Sequence, residues 1–187
     1  MAFSYYNRLT RTQKGIYEKS DSIASVSLPA HPVLGNAVDE LERALGTGNR
    51  PLTRVASHKF ISLLANLLRV TPVRVEVLAV RPSQKWGELH GLYTPGAGRD
   101  PPSITVWMRT AQRRQVVAFR TFLRTLIHEL CHHLDYELLR LPESFHTEGF
   151  YKRESSLVHQ LMGERQIANS EWRMANSAAA RLFVNRQ

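Results

Sequence analysis

The chain has 187 residues, 43% of them hydrophobic, which suits one domain with a real core and excludes a disordered composition. A formal net charge of +9 favours polyanions such as nucleic acid as neighbours, and a single cysteine, Cys131, excludes an intrachain disulfide and a cysteine-rich zinc ribbon. No run approaches the roughly 20 apolar residues of a membrane span, so no membrane partner is expected.

Residues 1–36 scatter Ser, Lys and Pro among few apolar residues and read as an irregular N-terminal arm, either loose or draped over a core. Their start, Met1-Ala2-Phe3-Ser4-Tyr5-Tyr6, lacks the basic and then apolar pattern of a secretory signal, so a cytoplasmic protein is expected. Residues 36–44 predict a short helix, ended by Gly46-Thr47-Gly48-Asn49-Arg50-Pro51. The next helix covers 51–69, with Val55, Phe60, Leu63, Leu64, Leu67 and Leu68 near helical spacing and Pro51 in its first turn.

The period then changes. Val73, Val75 and Val77 alternate with Arg74 and Glu76, which predicts a half-buried strand. Residues 88–94 predict a second strand, with His90 as a lone structural histidine. A breaker cluster at 95–102 precedes a third strand at 104–108. Pro101 and Pro102 cannot donate ladder hydrogen bonds, so the start of this strand is expected at a sheet edge. Trp86 and Trp107 are expected in the core.

A long helix over 112–139 aligns Val116, Phe119, Leu123, Leu126, Ile127, Leu130, Leu134 and Leu138 on one stripe. Arg109, Arg113, Arg114, Arg120 and Arg124 read as a solvated basic face there, with nucleic acid as the alternative. Pro142 breaks the chain. Thr147 suits the N-cap of a returning helix that carries Phe150, Leu157, Val158 and Leu161 and stops near Gly163. Residues 164–187 predict one further helix. The order of helices, three strands and helices predicts an α+β fold with one small sheet.

The chemistry concentrates in His128-Glu129-Leu130-Cys131-His132. Histidines four apart on a helix share a face, so both imidazoles can reach one ion. Zinc is tetrahedral, and two histidines plus a third protein ligand leave one position open to water. Glu129 lies beside that position and can accept a proton as general base. Asp135, three residues after His132, could orient a ligand or simply be solvated. Cys131 and His133 are turned away from the pair. Tyr93, Tyr136 and Tyr151 are candidate donors to an oxyanion. After Pro142 the chain must reverse, so a residue at the start of the returning helix can approach the metal. His146 stands there, with Glu148 and Glu154 as competitors.

The stretch Thr125-Leu126-Ile127-His128-Glu129-Leu130-Cys131-His132-His133 resembles the active-site helix of zincin metallopeptidases. The segment Ser144-Phe145-His146-Thr147-Glu148-Gly149-Phe150-Tyr151-Lys152 resembles the stretch after that helix in SprT-like, Spartan-type peptidases. In that family the third zinc ligand is a histidine just before a helix, in a pattern similar to H-G-x-x-F/W. Thr147 stands where that glycine usually stands, and Phe150 where the aromatic falls.

The resemblance covers about residues 70–162. It implies a zincin-like fold, with a small three-stranded, mostly antiparallel sheet packed on the active-site helix. That domain would span 37–165, between the arm at 1–36 and a helical tail at 166–187. The cofactor implied is Zn2+, held by His128, His132 and His146, with Glu129 as general base and then general acid. The implied reaction is peptide-bond hydrolysis. Its substrate would be a protein or peptide, with DNA or a DNA-bound protein as a further partner. The resemblance also implies that the edge strand before the metal helix, 104–108, pairs with extended substrate.

Two alternatives accompany this reading. With Glu154 as third ligand, the chain would instead resemble thermolysin-like zincins or the regulatory ImmA/IrrE group. If His146 is the ligand, Glu154 is a supporting carboxylate. The other alternative is a non-catalytic, basic nucleic-acid-binding protein with a structural metal site.

Overall fold

The computed structural model describes residues 3–84 and 87–184, so Trp86 lies outside the described residues. A 3-10 turn at Ser4–Arg8 leads into helices α1 (Arg11–Ser22), α2 (Val33–Gly46) and α3 (Arg50–Leu67). Strands β1 (Arg74–Val80), β2 (Ser83–Gln84), β3 (Gly87–Glu88), β4 (Gly91–Thr94) and β5 (Ser103–Arg109) come next. Helices α4 (Phe119–Glu137) and α5 (Glu148–Val184) complete an α+β architecture.

Residues 11–22 form a helix within the stretch whose composition predicts an irregular arm, because α1 is held by capping rather than by an apolar stripe. Thr10 Oγ1 accepts from the Gln13 amide at 3.2 Å, and Gln13 Oε1 accepts from the Thr10 amide at 3.1 Å. Only Tyr17 and Ser20 of this helix are buried, so its apolar period is nearly blank. Helix α2 is longer than the sequence pattern suggests and buries Leu34, Val38, Leu41 and Leu45. Asn49 caps α3 by accepting from the Leu52 amide at 3.1 Å.

The main sheet has the order β1-β5-β4. Strands β1 and β5 run parallel, with Val75 opposite Ile104 and Val77 opposite Val106. Strand β4 runs antiparallel to β5, with Gly91 opposite Val106 and Tyr93 opposite Ile104. The sheet is therefore mixed rather than mostly antiparallel. Strand β5 is its centre rather than its edge. The prolines do not prevent this, because they precede the first paired residue, Ser103. Pro102 contributes only its carbonyl, which accepts from the Arg74 amide at 2.9 Å. A central position also explains the burial of Ile104, Val106, Trp107 and Met108. The second strand breaks into two pieces, since Glu88 belongs to a short hairpin with β2.

Helix α4 begins seven residues later than the periodicity predicts (119 against 112). Residues 110–118 form a loop, pinned where the Val117 amide donates to Met108 O at 2.9 Å. Arg109, Arg113 and Arg114 thus precede the helix, and only Arg120 and Arg124 ride on it. Helix α5 runs through Gly163 without a stop. Its middle packs on α2: a Cβ on Gly35 would stand 2.6 Å from both Glu164 O and Ala168 Cβ. Arg165 there pairs with Asp39 and Glu42. Tertiary contact outweighs the weak helix propensity of one glycine. No helix among the described residues is long and apolar enough to cross a membrane.

Candidate metal centre

Leu123, Leu126, Ile127, Leu130 and Leu134 turn one face of α4 into the core. His128 and His132 project from another face into a cleft of about 1100 Å³. The opposite walls are β4 and the start of α5. The positive φ of Arg140, 53°, turns the chain after α4, and the Leu141 amide donates back to Asp135 O at 2.8 Å. The returning segment brings in His146. Thr147, fully buried, then caps α5 by accepting from the Phe150 amide at 2.9 Å.

Three imidazole nitrogens converge. Nε2 of His146 lies 3.0 Å from Nε2 of His128 and 3.1 Å from Nε2 of His132. The residues His128, His132 and His146 form a group able to hold one metal ion. Phe150 is buried beneath them, with ring centroids 4.7–5.2 Å from all three imidazoles.

The surrounding hydrogen bonds set the tautomers of two of them. His128 Nδ1 faces Glu154 Oε2 at 2.8 Å, and a carboxylate can only accept, so Nδ1 carries the proton. Arg124 pairs with the other oxygen of Glu154. His132 Nδ1 lies 2.7 Å from Ser144 Oγ, whose own proton goes to Asp135 Oδ2 at 2.6 Å. Ser144 must therefore accept from His132 Nδ1–H. Both Nε2 atoms are left as bare lone pairs aimed at one point, the state a metal ligand requires. Burial, with its imidazole neighbours His146 and His128, pushes His132 down to about 3. Desolvation, with the neighbouring His128, also lowers His146.

Glu154 accordingly supports His128 from behind rather than joining the converging nitrogens. Asp135 orients His132 through Ser144 and is itself paired at 2.8 Å with the buried guanidinium of Arg153. Glu148 sits on the surface of α5 in an ion pair with Lys152.

Glu129 is only 6% exposed and lines the same cleft. Burial pushes its carboxyl up to about 7, against the opposing pull of His128 and the Tyr93 backbone. Strand β4 crosses directly over this carboxylate. Gly91 makes the crossing possible, since a Cβ there would stand 2.8 Å from Glu129 Cδ.

The remaining candidates divide. His133 donates from Nε2 to Thr71 O at 2.8 Å, so Nδ1 accepts from the Tyr93 hydroxyl at 3.1 Å. That commits Tyr93 away from an oxyanion. Tyr136 stacks on Tyr93. Tyr151, 39% exposed, stacks on the His146 ring with centroids 5.8 Å apart. Cys131 is buried and Trp107 is in the core, but His90 is exposed in the loop before β4 and lines the cleft. Sequence reasoning did not reach Ser144, Arg153 or Gly91, whose roles depend on partners distant in the chain. No protein-family pattern, curated protein or solved structure matches the chain.

Proposed function

We propose that the chain is a zinc-dependent peptidase of zincin-like, SprT-like type, with His128, His132 and His146 as ligands. One observation carries the reading: three imidazole Nε2 atoms meet beside the buried carboxyl of Glu129 in one open cleft. Zinc suits an all-imidazole donor set and would supply a Lewis acid there.

The chain's own residues do the rest. Glu129 accepts a proton from water in the cleft and returns it to the leaving amine. A carboxyl raised toward neutrality is suited to both transfers, since it gives the proton up as readily as it takes it. Strand β4, at the edge of the main sheet and in the cleft wall, replaces β5 as the strand along which an extended peptide pairs. The net charge of +9 supports substrates held on a polyanion, such as DNA-bound proteins.

The test is Glu129→Gln. Glutamine is nearly isosteric but cannot accept the proton. The variant keeps its zinc and its fold and loses on the order of 10²–10⁴ in peptide hydrolysis. Comparable turnover by both proteins, with zinc verified in each, would remove this mechanism.

A further inference from the structure

His128 and His132 are each oriented by a hydrogen bond at Nδ1, to Glu154 and Ser144. His146 is oriented from its backbone. The Tyr5 hydroxyl donates to His146 O at 2.8 Å, across 141 positions of sequence. The Tyr5 ring packs against Phe3 and Tyr17, with centroids 6.1 and 6.0 Å away. Tyr17 in turn meets Phe145, the residue before His146, at 6.3 Å. Phe3 meets Tyr151 at 5.9 Å, and Tyr151 is the ring stacked on the His146 imidazole. The third histidine is thus held at its carbonyl, at its preceding neighbour and at its ring, each time through residues 3–17.

Polar bonds extend the same grip along the loop that carries His146. Gln13 Nε2 donates to Glu143 Oε2 at 3.0 Å, and the Gly149 amide donates to Asp21 Oδ1 at 2.8 Å. Gly149 has no room for a side chain, because a Cβ would stand 2.6 Å from Ser20 O. The end of α1 therefore sits directly on the start of α5.

We infer that the N-terminal segment is a clamp for the third metal ligand, with Tyr5 as the positioning residue that fixes His146. The inference rests on the reading of the three histidines as a metal centre. A hydroxyl that holds a ligand's main chain sets how far Nε2 can stray from the ion, and supporting contacts of this kind are worth about 10–100-fold in metal affinity.

The test compares full-length wild type, Tyr5→Phe and Tyr6→Phe. Tyr6 is the control, because its hydroxyl bonds Glu18 and not the His146 loop. Zinc release to a chromophoric chelator and the visible spectrum of the cobalt(II)-loaded protein are the readouts. Melting of the metal-free proteins is a third. Tyr5→Phe should release zinc at least about tenfold faster and change the cobalt bands, with little change in metal-free melting. Tyr6→Phe should match wild type in both metal readouts. A merely structural role for Tyr5 would lower the melting temperature and leave the cobalt spectrum alone. Zinc release and cobalt bands in Tyr5→Phe equal to wild type overturn the clamp while leaving the metal centre standing. Equal losses in both variants also overturn it. A wild type that binds neither metal overturns the metal centre and the clamp together.

Discussion

Gly91 and Glu129 occupy one space: a Cβ on the strand residue would stand 2.8 Å from the carboxyl carbon of the helix residue. Either β4 lifts away or the carboxylate turns when that Cβ is added. On the proposed mechanism Gly91→Ala should therefore keep the metal, whose proposed ligands lie elsewhere, and lose much of the proton transfer. A fall of about 10²-fold in turnover is expected, with zinc content unchanged. Full activity in a Gly91→Ala protein would mean that Glu129 does not act from this position.

The two contested ligands give different losses. His146→Ala removes one of three converging nitrogens, and zinc should be lost under a competing chelator that the wild type withstands. Glu154→Ala removes only the support behind His128 and should weaken zinc by about 10–100-fold. Retention by His146→Ala together with loss by Glu154→Ala would return the chain to the thermolysin-like alternative.

Arg153 and Asp135 are 1% and 0% exposed at their side chains. The guanidinium also donates to Ser20 O at 2.6 Å, Ile23 O at 2.5 Å and Ser20 Oγ at 2.9 Å. Asp135→Asn leaves that charge buried without its counter-ion, and a loss of about 3–5 kcal/mol is expected from urea unfolding. The same change slackens the Ser144 bond that orients His132, so zinc affinity should fall with stability. A variant as stable as wild type would show that the carbonyls alone satisfy Arg153.

The metal-free protein should report Glu129 through pH. Its carboxyl titrates near 4.5 when unfolded and is pushed up to about 7 by burial in the fold. Folding thus takes up a proton between those values. The group's contribution to stability is full below about 4.5 and is lost as pH rises through about 7. Glu129→Gln has no such loss. Its stability relative to metal-free wild type should increase between about pH 5 and about pH 8, as read by thermal melting. An unchanged gap across that range would mean that the carboxyl is not held in a desolvated site.

The legible parts of this molecule are the local ones. His128 and His132 announce themselves because four residues make one helical turn, and both ends of that signal lie in one segment. The chain reversal after Pro142 brings His146 within range, yet only assembled geometry separates it from Glu154. Strand β5 reads as an edge because two prolines precede it, whereas pairing with β1 depends on a segment about thirty residues earlier (Arg74 opposite Ser103). Helix α1 is hidden for another reason. It docks by a capping box, by Tyr17 and by polar bonds to the far end of the chain, none of which leaves an apolar period. Ser144 and Arg153 are ordinary residues in the sequence, and only their partners give them a role.

The bonds that finish the centre are long in sequence: Tyr5 to His146 spans 141 positions, Arg153 to Ser20 spans 133 and His128 to Glu154 spans 26. Closing such loops costs chain entropy that nearby contacts cannot repay, so they form late in folding. During synthesis α1 leaves the ribosome long before its partners on α5 exist. At a typical elongation rate of about 5–20 residues per second it waits for several seconds or more without them. On the proposed reading, a ribosome-stalled chain ending before His146 would present the paired histidines of α4 without the third imidazole.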